Sequence, residues 1–470
     1  MASTHPPLPE RFGRALEILD VCTEGLLFAM IAFSPWAFGT TQAWSIHWMN
    51  TGGYALGFLL VAKISLGRGM PWRRATGTAR FIAAALFGLT LCILGYVLVS
   101  AMNAEFTYIA QELRLEPHAY VKWLPHSLNR GASWQVFWNW LALAGVFWAA
   151  HDWLRADTAI DGSRRTGRLR RLIFVLAVNA ALVALEGILQ RNSGTSKLLW
   201  FQATRENPTA DAQFGPYAYR ANAAQFFNLI WPVALGLWWH WHSQRQRRTE
   251  RHHWLLPCVM LLVAGALVSM SRGGVAVAIL QAGACGLVLF SRGKFSARAR
   301  LSIALVFAAT IAAAFYFEGD QLMERVRNSA GDPLGGRTET YRLAARMAED
   351  YPWFGVGPGA YASVFQLYRD SPRDYWPAQL HNDWLEYLIT FGRAGCALFL
   401  AAGILIAWRW FAPGGLRTHP AFPVFVWIAL GGCLLHARFD FPLQIYSIQF
   451  VFVLLCAVLF SISRRTPTRP

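Results

Sequence analysis

WLLPCVMLLVAGALVSMSRGGVAVAILQAGACGLVLF, residues 254–290, consists of two apolar stretches joined by the short turn SRGG, and Arg272 is its only charged residue. A helix needs about 20 apolar residues to cross a bilayer, and each stretch approaches that length. This reads as a hairpin of two membrane helices, and the rest of the chain repeats the pattern. Of the 470 residues 55% are apolar and 15% charged, well below the roughly 25% charged of a soluble domain. Apolar blocks at roughly 18–39, 45–66, 81–102, 133–153, 172–190, 221–241, 254–270, 274–290, 301–318, 382–408, 421–437 and 443–462 predict about twelve spans. The expected fold is all-α: one integral-membrane domain over 1–470, a polytopic helical bundle. The seven cysteines fall inside apolar blocks and read as small core residues, not as disulfides or metal ligands.

The net charge of +17 invites a nucleic-acid reading, but its distribution points to topology. Arginines cluster in short links between apolar blocks, and alternate links carry 26 of the 43 Lys and Arg residues. Positive links stay cytoplasmic, so the sequence predicts short cytoplasmic tails at 1–17 and 463–470. It also predicts an outer face holding 103–131, 191–220, the SRGG turn and the long segment 319–380. That segment lies between the ninth and tenth spans and is too long for a passive connection. Thr338–Asp350 follows Gly335-Gly336 and stops before Pro352, as an amphipathic helix would. Gly355–Gly359, GVGPG, reads as a tight turn.

Several residues on that face have chemical potential. Arg272 stands against hydrocarbon with little room to snorkel. Arg337 opens the loop helix after two glycines, where free N–H groups and a guanidinium suit a phosphate; a solvated arginine is the plain alternative. His381 lies in QLHNDWLEYLITFGRAG, residues 379–395, where a polar loop meets an apolar helix. A helix N-terminus disfavours the imidazolium and keeps the ring ready to accept a proton. Glu386, one turn on, is either a partner for a basic group or a buried structural acid. Asp440, in HARFDFP, has three readings: pairing an arginine, orienting a base or capping a helix. The chain has no Walker-type glycine loop, HExxH, CxxC or Asp-x-Asp, so neither a cofactor nor a metal is expected. Arginines can instead neutralise a leaving diphosphate.

SRGG, then GRTETYRLAARMAEDYPWFGVGPGAY, then HNDWLEYLITFGRAG, then HARFDFPLQ occur in that order over the last two hundred residues or so. In this order the chain resembles the O-antigen ligase and polymerase superfamily of bacterial envelope enzymes. The resemblance implies a helical bundle in the inner membrane with a large periplasmic loop that forms part of the active site. It implies inverting, metal-free transfer of a glycan from undecaprenyl diphosphate to an acceptor hydroxyl, with a lipid A-core sugar as the first expectation. By position, Arg272 and Arg337 look like the donor-diphosphate arginines, and His381 like the residue that activates the acceptor. Arg220-Ala221-Asn222 follows FGPYAY where many relatives have a fuller Asn-Arg-Asn-His run, so Arg220 is a weaker donor contact. Arg393 replaces what is usually an uncharged residue in the glycine turn. Polymerases of lipid-linked repeat units and protein O-glycosyltransferases share these motifs. A twelve-span secondary transporter is the rival class. Arg393 and Glu386 speak for it, while candidate residues gathered at one face and the lack of matching halves speak against it.

Overall fold

A computed structural model of the chain describes residues 10–69, 77–109, 111–112, 114–155, 162–204, 207–243, 253–292, 337–370, 378–412, 416, 418 and 421–463. Their helices are α1 (Glu10–Trp36), α2 (Ala43–Lys63), α3 (Gly77–Met102), α4 (Arg130–Arg155), α5 (Gly162–Asn192), α6 (Arg220–Ser243), α7 (Leu255–Val268) and α8 (Arg272–Arg292). Then come α9 (Arg337–Asp350), the short α10 (Tyr361–Val364), α11 (Asp383–Phe411), α12 (Phe422–His436) and α13 (Tyr446–Ser461). A helix lies over each predicted apolar block except 301–318, which is outside the described residues together with 319–336 of the long segment.

The molecule is mostly helical, as expected. Among the described residues four helices, Gly77–Met102, Gly167–Asn192, Arg272–Ser291 and Asp383–Phe411, are long and apolar enough to cross a membrane. α7, α12 and α13 are apolar and shorter. Residues 10–17, expected in a tail, are the first turns of α1. The cysteines are free, and Cys285 and Cys433 are buried as predicted. Cys22 and Cys92 are exposed, because an apolar stretch of a membrane protein also supplies its outward face.

α6 is buried on every side from Ala221 to His240, which is how a helix at the centre of a bundle reads. It packs against α5, α7, α8, α12 and α13. Small residues let helices approach closely elsewhere: a Cβ on Gly145 would lie 2.3 Å from the Gly53 carbonyl oxygen, bringing α2 and α4 together. The N-terminus of α6 and the N-termini of α8 and α11 fall at one end of the bundle, beside the C-terminus of α12. A second, smaller core gathers there, in which Leu343, Ala344 and Met347 of α9 meet Val356, Tyr361, Leu380 and Ile389.

α11 is not one straight rod. Gly392 has φ +60 and ψ −171 inside it, and the loop 351–357 fills the break. Val356 N–H donates to Ile389 O (2.8 Å) and Gly357 N–H to Thr390 O (3.1 Å). In return Arg393 N–H donates to Pro352 O and Ala394 N–H to Trp353 O, each at 3.0 Å. A broken helix in an apolar medium persists only when other protein groups satisfy the freed backbone, and residues 352–357 do that here. The Tyr96 hydroxyl lies 2.9 Å from Phe354 O and 2.8 Å from Phe391 O, bridging the two sides.

Candidate functional site

His381 sits just outside α11 with φ +58, a left-handed conformation that costs a non-glycine residue about 1–2 kcal/mol. Its neighbours hold it there. Asn382 is the N-cap, its side chain accepting from Leu385 N–H at 3.2 Å. Glu386 is buried and reaches back to accept from Leu380 N–H at 2.8 Å. Tyr341 of α9 donates its hydroxyl proton to His381 O at 2.7 Å. Asp383 N–H donates to Ala437 O at 2.8 Å, tying this turn to the end of α12.

That tie brings His381 onto Asp440, with Nδ1 and Oδ1 2.9 Å apart. The carboxylate side chain is 8% exposed and the imidazole 29%, so the ring is reachable while its partner is shielded. Burial acts to raise the Asp440 carboxyl, but the hydrogen bond to His381 and the nearby His436 and Arg337 outweigh it, leaving its pKa below the ordinary carboxylate value. An ionised carboxylate only accepts, so Nδ1 of His381 is the donor in this contact. Among the described residues none bonds Nε2. Of the three sequence readings of Asp440, contact with the histidine is present in the 2.9 Å pairing, and the Arg337 charge also acts on the same carboxylate.

Arg337 donates to Phe439 O at 3.0 Å. Burial works against its charge, yet Tyr219 and Asp440 more than offset that, and its pKa lies above the ordinary value. Arg272, the first residue of α8, is exposed, and among the described residues nothing pairs with its guanidinium. It reaches the same neighbourhood through its neighbour: a Cβ on Gly273 would lie 2.9 Å from His436 Nε2, and that nitrogen is 4.0 Å from Asp440 Oδ2. Gly274 is equally constrained, since a Cβ there would meet Ala224 of α6 at 2.4 Å. The glycines of SRGG thus permit the close approach of α8 to α6 and α12.

Arg220 opens α6, but its guanidinium is engaged by Asp211, 3.3 Å away. It adjoins the site in sequence, and its charge is already matched. Residues not singled out from sequence complete the arrangement. Tyr219 donates from its hydroxyl to Asp440 Oδ2 at 3.2 Å; burial first, then the Asp440 charge, push its phenol up. Phe441 packs edge-on to the imidazole with ring centres 4.7 Å apart. His436 is buried with Nδ1 against Gln225 Oε1 at 2.8 Å. Tyr219 closes the aromatic run FGPYAY before α6, which by itself does not set it apart from the other tyrosines.

The site therefore combines a partly exposed histidine, a shielded carboxylate against its Nδ1, and Arg337 beside that carboxylate. Such a group can take a proton from a hydroxyl while a cation meets developing negative charge. Residues 257–400 match the family described as O-antigen ligase, which bears out the resemblance read from the motifs and supports a multi-pass membrane glycosyltransferase of ligase or polymerase type. The matched region takes in Arg272, Arg337, His381 and Glu386 and ends before Asp440. No curated protein matches the chain.

Proposed function

We propose that this chain, with its O-antigen ligase domain over residues 257–400, transfers a glycan from undecaprenyl diphosphate to an acceptor hydroxyl on the periplasmic face of the inner membrane. His381 Nε2 takes the hydroxyl proton as the oxygen attacks the anomeric carbon from the side opposite the diphosphate, inverting that centre. The bond to the diphosphate oxygen breaks as the new glycosidic bond forms. Arg337 and Arg272 balance the charge left on undecaprenyl diphosphate, with Arg220 in a lesser role. Asp440 holds the imidazole in the required tautomer and stabilises the imidazolium that forms. Glu386 keeps the His381 turn closed. The segment 319–380 supplies Arg337 and Tyr341 and forms part of the active site.

The observation that carries this reading is the 2.9 Å contact between His381 Nδ1 and Asp440, next to Arg337. A lipid A-core sugar is the proposed acceptor. The test is turnover by the purified protein with an undecaprenyl-diphosphate glycan and separate acceptors: lipid A-core, a second lipid-linked glycan, and protein. Glycosylated lipid A-core supports the ligase reading, longer lipid-linked polymer replaces it with a polymerase, and glycoprotein with a protein transferase. Full turnover by His381→Ala removes the base from the scheme.

A further inference from the structure

Tyr219 has no role in the chemistry above, yet it stands against both His381 and Asp440. Its hydroxyl donates to Asp440 Oδ2 at 3.2 Å, and the Arg337 guanidinium, bonded to Phe439 O one residue before Asp440, acts on the same hydroxyl electrostatically. Its ring is edge-on to His381 with centres 5.8 Å apart and stacked on Phe441 at 5.4 Å and 7°.

The backbone under Tyr219 is fixed. Phe214 and Tyr217 exchange backbone hydrogen bonds of 3.0 and 3.1 Å around Gly215-Pro216, and both side chains are buried. The Tyr217 hydroxyl is 3.1 Å from Ser447 Oγ, anchoring the turn to α13. Arg220 N–H donates to Ala212 O at 2.9 Å and Asn222 N–H to Tyr219 O at 3.0 Å. Tyr219 thus enters the site from the N-terminus of the central helix, the most enclosed element of the bundle. Packing alone would be satisfied by a phenyl ring, so the hydroxyl is the part that needs explaining.

We propose that Tyr219 is a positioning residue that ties the donor-side cation to the base. One hydroxyl holds Asp440 and meets Arg337 at once, so the imidazole and the guanidinium are set in a single geometry. This rests on the reading of His381 as the base and Arg337 as a diphosphate contact. The hydroxyl turns its proton to Asp440 and its lone pairs to Arg337, so a diphosphate that draws on the Arg337 charge changes how strongly the hydroxyl donates to the carboxylate under His381. Alignment of the base then follows occupancy of the donor site.

The experiment compares the full-length protein in lipid nanodiscs with Tyr219→Phe, Arg337→Lys, the double variant and His381→Ala, using an undecaprenyl-diphosphate glycan and the acceptor that turns over. Tyr219→Phe is expected to lower kcat about tenfold, the equivalent of one hydrogen bond, with the KM for acceptor unchanged. The double variant is expected to lose less than the product of the two single losses, because one linkage is being broken twice. A kcat within twofold of the parent for Tyr219→Phe, or losses that simply multiply, overturns the proposal. If His381→Ala is inactive while Tyr219→Phe is not impaired, the base survives and only the role of Tyr219 falls. An active His381→Ala removes the premise itself. Should Tyr219→Phe fail to accumulate, ring-fluorinated tyrosines placed at 219 keep the shape and change the acidity of the hydroxyl. A kcat that tracks that acidity supports the linkage, and one indifferent to it refutes it.

Discussion

His381 is kept in a backbone conformation that glycine would adopt freely, and that sets function against stability at a single residue. His381→Gly is expected to be as stable as His381→Ala or more so, by up to about 1 kcal/mol, with both inactive. Thermal unfolding in detergent compares them, and a glycine variant clearly less stable than the alanine one contradicts the strain. Asp440→Asn removes the ionised acceptor that fixes the tautomer, so a fall in kcat of roughly 10²–10⁴ is expected with the protein still folded. A pH effect accompanies it. Since the folded pKa of Asp440 is depressed, its ionised form stabilises the protein above the ordinary carboxylate value of about 3.9. That contribution is lost as pH falls through the lower folded value. The gap in melting midpoint between the parent and Asp440→Asn should therefore be present above about pH 4 and close below it. A gap that widens on acidification contradicts the assignment. His381, Arg337 and Asp440 were legible because unusual residue types stand at recognisable junctions. Tyr219 was not: its partner Asp440 is 221 positions away, and one tyrosine in an aromatic-rich chain carries no local mark.

At the scale of elements, the break in α11 fixes where the histidine stands. The helix up to Phe391 is bonded to the 351–357 loop as well as to its own lower half, so loop and helix end behave as one unit. A Cβ on Gly392 would lie 2.4 Å from both the carbonyl carbon and the oxygen of Trp353. Those are backbone atoms, and φ is +60. Gly392→Ala should therefore cost on the order of 2 kcal/mol or more and lower kcat by displacing the His381 turn. An alanine variant with parental melting and turnover would refute the coupling. The sequence hinted at this in FGRAG and GVGPG without revealing that the two motifs meet. Apolar periodicity cannot register a break when both halves of a helix face lipid and core alike. The amphipathic α9 was readable almost to its ends because Gly335-Gly336 and Pro352 bracket it.

At the scale of the whole molecule, the end opposite the site is held by charge. Lys63 of α2 is fully buried and lies 2.9 Å from Asp20 of α1 and 3.8 Å from Asp152 of α4. Arg168 of α5 also bonds Asp20, at 3.1 Å. Lys63→Met should destabilise by about 3–5 kcal/mol by leaving buried carboxylates poorly matched. Adding Asp152→Asn should recover part of the loss, since Asp20 keeps Arg168. A double variant no more stable than the single one argues against a matched network. The helices that carry these charges, α1, α2 and α4, pack as bundle helices although they are not among those long and apolar enough to cross a membrane. Hydropathy scores each helix alone and cannot see a partner that cancels its charge.

The buried lysine also bears on how the chain is made. A nascent helix meets lipid before the later part of the chain exists. When α2 emerges, Asp20 is already available to it, but Asp152 and Arg168 have yet to be synthesised. The ion pairs can therefore close only in that order, α1 with α2 first and α4 and α5 afterwards. Lys63 meets hydrocarbon with its charge matched only if α1 and α2 stay together as they enter the bilayer.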